Sequence, residues 1–316
     1  MSPVSAPNRR MLLIVNPKAQ AVAARRTGAV ARSLSRGFEV HEVWTRAPGH
    51  ASELARMAAG TGADVVGVLG GDGTVNEVVN GMASAEDGTA KVPIAVIPGG
   101  GANVLVRALG FPNDAVRTAE VLVRTADRPP LSIPLGRIGD RYFVSSCGMG
   151  FDAAIVREVE RHPKVKRALG DAWFVAVGLG LYAAGYDTNQ PHIRVRAGED
   201  PWQYGLYLAI LQNLDPFTYL GSRALRVCPD ANLGEGLDCF ALETMRPARI
   251  FPVLFSAFGI GPLTHHRGPE GRYWHDERRF VIESNVPLPV QADGEYLGER
   301  QRVEIESIPD ALSVYR

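Results

Sequence analysis

GVLGGDGTVNEVVNG, residues 67–81, runs from an apolar strand into a helix through three glycines, Gly70, Gly71 and Gly73, set around Asp72. Glycine lets a backbone turn with positive φ and come close to a ligand. The helix that follows offers unpaired N–H groups and a partial positive charge, which suits a phosphate. Thr74 and Glu77 have the spacing of a capping box, which predicts a helix starting after Thr74. A carboxylate would repel a phosphate directly, so Asp72 implies a bridging Mg²⁺. The alternative is a tight turn in which Asp72 only caps backbone amides. GxGxxG and GxxxxGK[ST] are both absent, so neither a dinucleotide fingerprint nor a P-loop is indicated.

On either side of this stretch the first third alternates strand and helix. MLLIVN (11–16), FEVHEVWT (38–45), ADVVGVLG (63–70) and PIAVIPG (93–99) read as strands. AVAARRTGAVARSLS (21–35), HASELARMAA (50–59) and VNEVVNGM (75–82) read as helices. That rhythm predicts a parallel sheet with helices on both faces and ligands beyond the carboxyl ends of its strands. Glycines 70–73 and 99–101 cluster at those ends. After Pro129-Pro130 the texture changes. LSIPLGRI and DRYFVSSCG read as a hairpin around Gly139-Asp140, followed by helices near 152–162 and 171–185. HIRVRAG, YGLYLAIL, RALRVCPD, LDCFALET, RRFVIES and LPVQADGE then read as short strands of an antiparallel β-sandwich. The expected domains are 1–130, with the C-terminal segment 305–316 a candidate to rejoin it, and 131–304.

Composition narrows the function classes. Lys and Arg total 34 against 34 Asp and Glu, a balance that argues against a nucleic-acid partner. Three widely spaced cysteines, Cys147, Cys228 and Cys239, fit neither a disulfide framework nor a zinc knuckle and suit a reducing cytoplasm. MSPVSAPNRR lacks the apolar core of a signal peptide. The apolar stretches 173–185 and 250–263 fall short of the roughly 20 residues needed to span a bilayer. A protein in solution or resting on a membrane surface is expected. HHRGPEGRYWH, which holds His265, His266 and His275, reads as a polar surface loop because no matching ligand set accompanies it.

With these motifs in view, GGDGTVNEVVNG resembles the signature of the diacylglycerol kinase catalytic family, which includes bacterial lipid kinases and sphingosine kinases. GGDGT alone is shared with NAD kinases and 6-phosphofructokinases, and the NEVVNG continuation is the more specific part. IVNPKA (14–19), IPGGGANVLVRALG (97–110), CGMGFDA (147–153), CPDANLGEGLD (228–238) and QADGE (291–295) agree with the family in order.

The resemblance implies an N-terminal domain of the NAD kinase and phosphofructokinase type and a β-rich lipid-substrate domain. It implies nucleotide contacts at Asn16, Pro17, Lys18 and Thr45, and a phosphate cradle of Gly70, Gly71, Gly73, Thr74, Asn76 and Glu77 with Asp72 organising metal and phosphates. In the second loop Gly100, Gly101 and Asn103 are expected to meet the nucleotide. There Gly101 stands where the family usually has Thr, and Val104 where it has an acid. Asp152 is a carboxylate either near the active site or capping a helix. Asn232, Glu235 and Leu237 match a segment that holds a structural Mg²⁺ in some bacterial members. Glu295 is the implied base, with Asp293 as orienter or alternate base; two apart, they would share a face of one strand.

The expected activity is ATP- and Mg²⁺-dependent phosphorylation of a hydroxyl on a diacylglycerol or sphingoid-like lipid. The protein would be cytoplasmic and peripheral to the inner face of the membrane, with a homodimer open to it. The segments 171–186 and 246–263 would line a lipid slot or lie at the interface. An NAD kinase-like enzyme and a regulatory protein that binds lipid or nucleotide without catalysis are the alternatives.

Overall fold

The computed structural model of the chain describes residues 9–18, 24–84, 92–165, 170–184, 186–187, 190–260 and 268–316. They form two compact units, one of residues 1–133 with 310–316 and one of residues 134–309.

The first unit holds β1 (Arg10–Val15), α1 (Ala24–Leu34), β2 (Glu39–Trp44), α2 (His50–Arg56), β3 (Val65–Gly70), α3 (Asp72–Ala83), β4 (Ile94–Pro98), α4 (Val104–Ala108) and α5 (Ala115–Arg124). The strand order is β2-β1-β3-β4, parallel throughout. Near the C-terminus Val314 adds to the far side of β4, also parallel, opposite Ile94. Every residue of β3 and β4 is buried, as expected of parallel strands covered on both faces. The helices pack in pairs, α1 with α5 and α2 with α3. Asp114 caps α5 by accepting from Arg117 N at 2.9 Å.

The second unit holds most of β5 (Leu131–Ile138), then β6 (Arg141–Phe143), β7 (Ser146–Gly150), α6 (Phe151–Arg161), α7 (Asp171–Ala184), β8 (Ile193–Ala197), β9 (Gln203–Leu206) and β10 (Leu208–Gln212). After these come β11 (Thr218–Leu220), β12 (Arg223–Leu225), β13 (Leu237–Leu242), α8 (Pro247–Ala257), β14 (Gly271–Glu277), β15 (Arg279–Ala292) and most of β16 (Glu295–Val314). β14, β13, β10, β7, β15 and β16 pair in that order, antiparallel at each step. β15 changes partner along its length. Phe280–Ser284 lie against β8, whereas Val290–Ala292 lie against β7. Bulges between Glu283 and Leu288 and between Pro289 and Gln291 allow the bend. The alternating inward side chains of β8 (Ile193, Val195, Ala197) join Phe143, Met149, Leu211, Cys239 and Phe280 in one buried cluster.

Several expectations for this half change. RRFVIES and LPVQADGE are one long strand rather than two, because the bulges absorb Pro287 and Pro289. YGLYLAIL breaks at Tyr207 into β9 and β10, and in RALRVCPD only Arg223–Leu225 is a strand. Part of the expected histidine loop is β14. His275 lies on it, and Trp274 packs on the core edge-on to Phe280 at 6.3 Å. His265 and His266 fall outside the described residues. The three cysteines are buried and unbridged.

A Cβ on Gly81 of α3 would lie 2.2 Å from the carbonyl oxygen of Ser52 in α2. Gly81→Ala is expected to destabilise the first unit by about 1–3 kcal/mol in urea denaturation, since packed backbone must separate. Gly28→Ala in α1 meets only the end of Arg32, at 3.3 Å. It should gain about 0.5–1 kcal/mol from the lower entropy of its unfolded chain. Equal effects of the two changes would contradict this packing.

Candidate active site

In the first unit the site is made where β3 and β4 end. β3 stops at Gly70, Gly71 is extended, and α3 begins at Asp72, three residues earlier than the capping-box spacing predicts. No side chain caps α3. The hydroxyl of Thr74 accepts from Asn16 Nδ2 at 2.8 Å, and Glu77 Oε2 accepts from Ala51 N of α2 at 3.2 Å. The capping box is therefore replaced by two tertiary hydrogen bonds. β4 stops at Pro98, and glycines 99–101 lead to Asn103, which is buried at φ 48°.

The two glycine turns touch through bare backbone. Gly99 N donates to Gly70 O at 2.8 Å. A Cβ on Gly99 would lie 2.9 Å from Gly70 Cα, and one on Gly100 would lie 2.8 Å from Gly71 Cα. Asn103 clamps Gly100, accepting from its N–H at 2.9 Å and donating to its carbonyl at 2.8 Å. The same amide nitrogen donates to Asn113 Oδ1 at 2.7 Å. Asp72 Oδ1 accepts from Val104 N at 2.6 Å and so ties the start of α3 to the start of α4. Around Gly73 and Gly101 a Cβ would meet nothing within 4 Å, so both border open space.

This half brings together Asn16, Gly70, Gly71, Asp72, Gly73, Thr74, Gly100, Gly101 and Asn103. Thr45 lies next to them, its N–H donating to Val15 O at 2.9 Å, and Pro17 and Lys18 are exposed beyond Asn16. Asn76 and Glu77 sit one turn further along α3. Asn76 is buried and receives Asn80 Nδ2, and Glu77 serves α2, so both hold helices together. The bare turns and the first-turn N–H groups of α3 fit a polyphosphate.

In the second unit the sequence-predicted acids separate. Asp293 and Glu295 do not share a strand: Asp293 and Gly294, at φ 47° and 77°, form the two-residue turn between β15 and β16. The Asp293 carboxylate accepts from the N–H groups of Val144, Ser145 and Ser146 at 2.7, 2.8 and 3.0 Å. Glu295 is exposed and paired with Arg141. Asp152 differs from both. It lies in the first turn of α6, and its Oδ2 accepts from Gln291 Nε2 at 3.2 Å. Its Oδ1 is buried with no hydrogen-bond partner. Burial pushes its pKa up to about 6 against the opposing hydrogen bonds from Gln291 and backbone. Gly148 makes room for it, since a Cβ there would lie 2.0 Å from Asp152 Oδ2.

A cavity of about 330 Å³ opens nearby, lined by Tyr186, Asp187, His192, Tyr207, Val286 and Leu288, with Gln190. Phe151 packs edge-on against Tyr186 at 5.0 Å, so the cavity wall adjoins the turn that bears Asp152.

The 232–237 loop is hydrogen-bonded within itself. Asn232 donates its amide N–H to Glu235 and to Asp230 O. Asp238, fully buried, accepts from His275 Nδ1 at 2.9 Å, Asp276 N at 3.1 Å and the Tyr273 hydroxyl. His275 Nε2 lies 3.5 Å from Glu235. Burial opposes charge on His275, but the bond to Asp238 and the neighbouring acids hold its pKa above the ordinary value. Among the described residues no three His, Cys, Asp or Glu are grouped to hold a metal. Leu237 is a β13 ladder residue opposite Glu277. Sequence reading missed Asn113, Gln291 and the Asp238–Tyr273–His275 cluster; buried polar types inside strand patterns were the only signal.

Two outcomes follow from this geometry. Gly100→Ala should weaken binding of tripolyphosphate about tenfold or more by parting the turns, whereas Gly101→Ala should bind within about threefold of the parent by calorimetry. Asp152 has a native pKa of about 6 against 3.8 for the unbound group, so the native state holds the extra proton between these values. Stability then falls as pH rises from 4 to 6, by up to roughly 3 kcal/mol. Asp152→Asn removes that loss, so its melting temperature should gain on the parent's between pH 4 and 7. A constant difference would rule the buried carboxylate out as the cause.

The family model of the diacylglycerol kinase catalytic domain matches residues 10–131. The chain is 26% identical over 265 residues to the diacylglycerol kinase of Bacillus subtilis (strain 168), covering 83% of this chain and 81% of that protein. With a Pseudomonas aeruginosa PAO1 protein named "Probable lipid kinase YegS-like" it shares 27% over 308 residues, covering 97% and 94%. A crystal structure of a diacylglycerol kinase from Bacillus anthracis str. Sterne has the same fold, with a TM-score of 0.71, 19% identity and 98% and 97% of the two chains covered. The matched segment contains both glycine turns, Asn16 and Asp72, so residues 10–131 are similar to a diacylglycerol kinase catalytic domain.

Proposed function

We propose that the chain transfers the γ-phosphoryl group of ATP to a hydroxyl of a diacylglycerol or sphingoid-like lipid, at the cytoplasmic face of a membrane. The observation that carries this is the contact of the two glycine turns, which leaves Gly73 and Gly101 facing open space at the N-terminus of α3, within the segment similar to a diacylglycerol kinase catalytic domain. Backbone N–H groups of Gly71, Gly73, Gly100 and Gly101 would hold phosphates, with Asn16, Thr45 and Thr74 beside the nucleotide. Asp72 would hold Mg²⁺, which when bound neutralises charge on the β- and γ-phosphates.

For the acceptor we assign Asp152 the role that the resemblance implied for Glu295. A buried acceptor without a donor costs free energy, and a lipid hydroxyl reaching Asp152 Oδ1 would supply the missing donor. Asp152 then takes the hydroxyl proton as the lipid oxygen bonds to phosphorus and the bond to the departing ADP oxygen breaks. A carboxylate with a pKa near 6 is a better base than one at its ordinary value and is still ionised at neutral pH. Asp293 has its oxygens occupied by three N–H groups and supports the turn. The cavity between Tyr186, Tyr207, Val286 and Leu288 offers apolar wall for the substrate.

The test is purified protein with γ-labelled ATP and a panel of diacylglycerol, sphingosine, ceramide and NAD. Label is expected on a lipid. Label on NAD alone, or ATP binding with no labelled product, would overturn the assignment. Asp72→Asn should lower kcat about 10²-fold or more. Asp152→Asn should do likewise, and in the parent kcat/KM should fall about tenfold per pH unit below about 6. Glu295→Gln should remain within about threefold, as befits an exposed ion pair. If Glu295→Gln were dead and Asp152→Asn active, the base would have been misplaced.

A further inference from the structure

α8 is apolar on two faces. Ile250, Val253 and Ala257 are buried, and they pack toward Leu242, Met245 and Phe240. On the opposite face Phe251, Leu254 and Phe255 are 42%, 40% and 51% exposed, and Ile260 just beyond is 50% exposed. Residues 251, 254 and 255 recur at helical spacing, so these side chains form one outward stripe. A helix on the surface of a water-soluble domain normally turns charged and polar residues outward. Large aromatic side chains grouped on an exposed face mark a contact surface instead.

The charges around the stripe say what kind. Arg246 and Arg249 at the start of α8 are both exposed, and from Met245 to Ile260 there is no acidic residue. The neighbouring helix continues the pattern. α7 exposes Val175 and Leu179 at 43% and 57%, and between Ala172 and Ala183 it carries no ionisable group except Tyr182. The Tyr182 hydroxyl donates to Met245 O at 2.5 Å, which fastens α7 to the entry of α8.

We infer that α8 lies on an anionic lipid bilayer, with Phe251, Leu254 and Phe255 in the acyl boundary and Arg246 and Arg249 among the headgroup phosphates. Cationic residues at one end of an outward aromatic stripe match a surface that is anionic outside and apolar within. The inference rests on the lipid-kinase reading for the presence of a bilayer, and it adds which element of the chain makes the contact. No described helix is long and apolar enough to cross the membrane, so the contact is one of lying on it.

Sedimentation of the full chain with sucrose-loaded vesicles tests this without ATP or turnover. Vesicles of phosphatidylcholine are compared with vesicles in which part of it is replaced by phosphatidylglycerol. The parent should bind the anionic vesicles more strongly, and less so at high salt. The double variant Phe251→Ser with Phe255→Ser should lose about tenfold or more in partitioning while keeping the parent's circular dichroism melt. The pair Arg246→Gln with Arg249→Gln should lose only the preference for phosphatidylglycerol and its salt dependence. Activity toward a short-chain lipid dispersed as monomers should be unchanged in both. Partitioning that tracks this face while no lipid is phosphorylated would reject the kinase and keep the docking surface. No vesicle binding by the parent, or equal binding by the phenylalanine variant, would sink the inference. So would a parent dimer that the phenylalanine change turns to monomer in light scattering, since the face would then join two copies.

Discussion

The site in the first unit depends on one close approach of backbone to backbone. Gly70 and Gly71 meet Gly99 and Gly100 at distances where no side chain fits, and the bond from Gly99 N to Gly70 O fixes that contact. Because β3 and β4 are adjacent parallel strands, their carboxyl ends emerge side by side, and only residues without Cβ let both exits turn at the same level. Asp72 and Asn103 then act as ties. One accepts from Val104 N across the two loops, and the other grips Gly100 on both sides. The two turns are thus held against each other by hydrogen bonds within the protein.

Much of this was legible in the sequence for physical reasons that can be named. Strands buried on both faces read as continuous apolar runs, as Val65–Gly70 and Ile94–Pro98 do, and glycines at their ends leave no ambiguity about where the turns fall. The start of α3 was not legible, because Thr74 and Glu77 carry the local capping pattern while Asn16 and Ala51, distant in sequence, claim their side chains. β15 was misread as two strands since Pro287 and Pro289 normally break a ladder, and only a bulge with a change of partner lets the strand continue. His275 looked like part of a polar loop because its partner Asp238 lies on another strand and is itself inside an apolar run.

The acidic residues show most clearly what spacing cannot decide. Asp152, Asp293 and Glu295 are chemically similar, and their surroundings make them different. Three backbone N–H groups bind Asp293, an arginine neutralises Glu295 in solvent, and burial leaves Asp152 Oδ1 without a hydrogen-bond partner. The resemblance implied the pair in QADGE as base and orienter. A left-handed Asp-Gly turn has its own use for the first of them, and that use consumes it.

Gln291 connects these fates, and its orientation follows from donor and acceptor logic alone. It is buried, and its amide stands between Gly294 N, at 2.9 Å from its oxygen, and Asp152, at 3.2 Å from its nitrogen. A backbone N–H can only donate, so it must face the amide oxygen, and the NH₂ is left to point at Asp152. The hairpin turn held by Asp293 therefore sets which end of Gln291 the buried carboxylate meets. That N–H donor stabilises the ionised form, and it opposes the desolvation that raises the Asp152 pKa to about 6. Without the turn, a rotated amide would present its oxygen to Asp152 and favour the protonated acid. The Asp-Gly turn thus bears on the protonation of Asp152, a residue of another element, by deciding which end of Gln291 faces it.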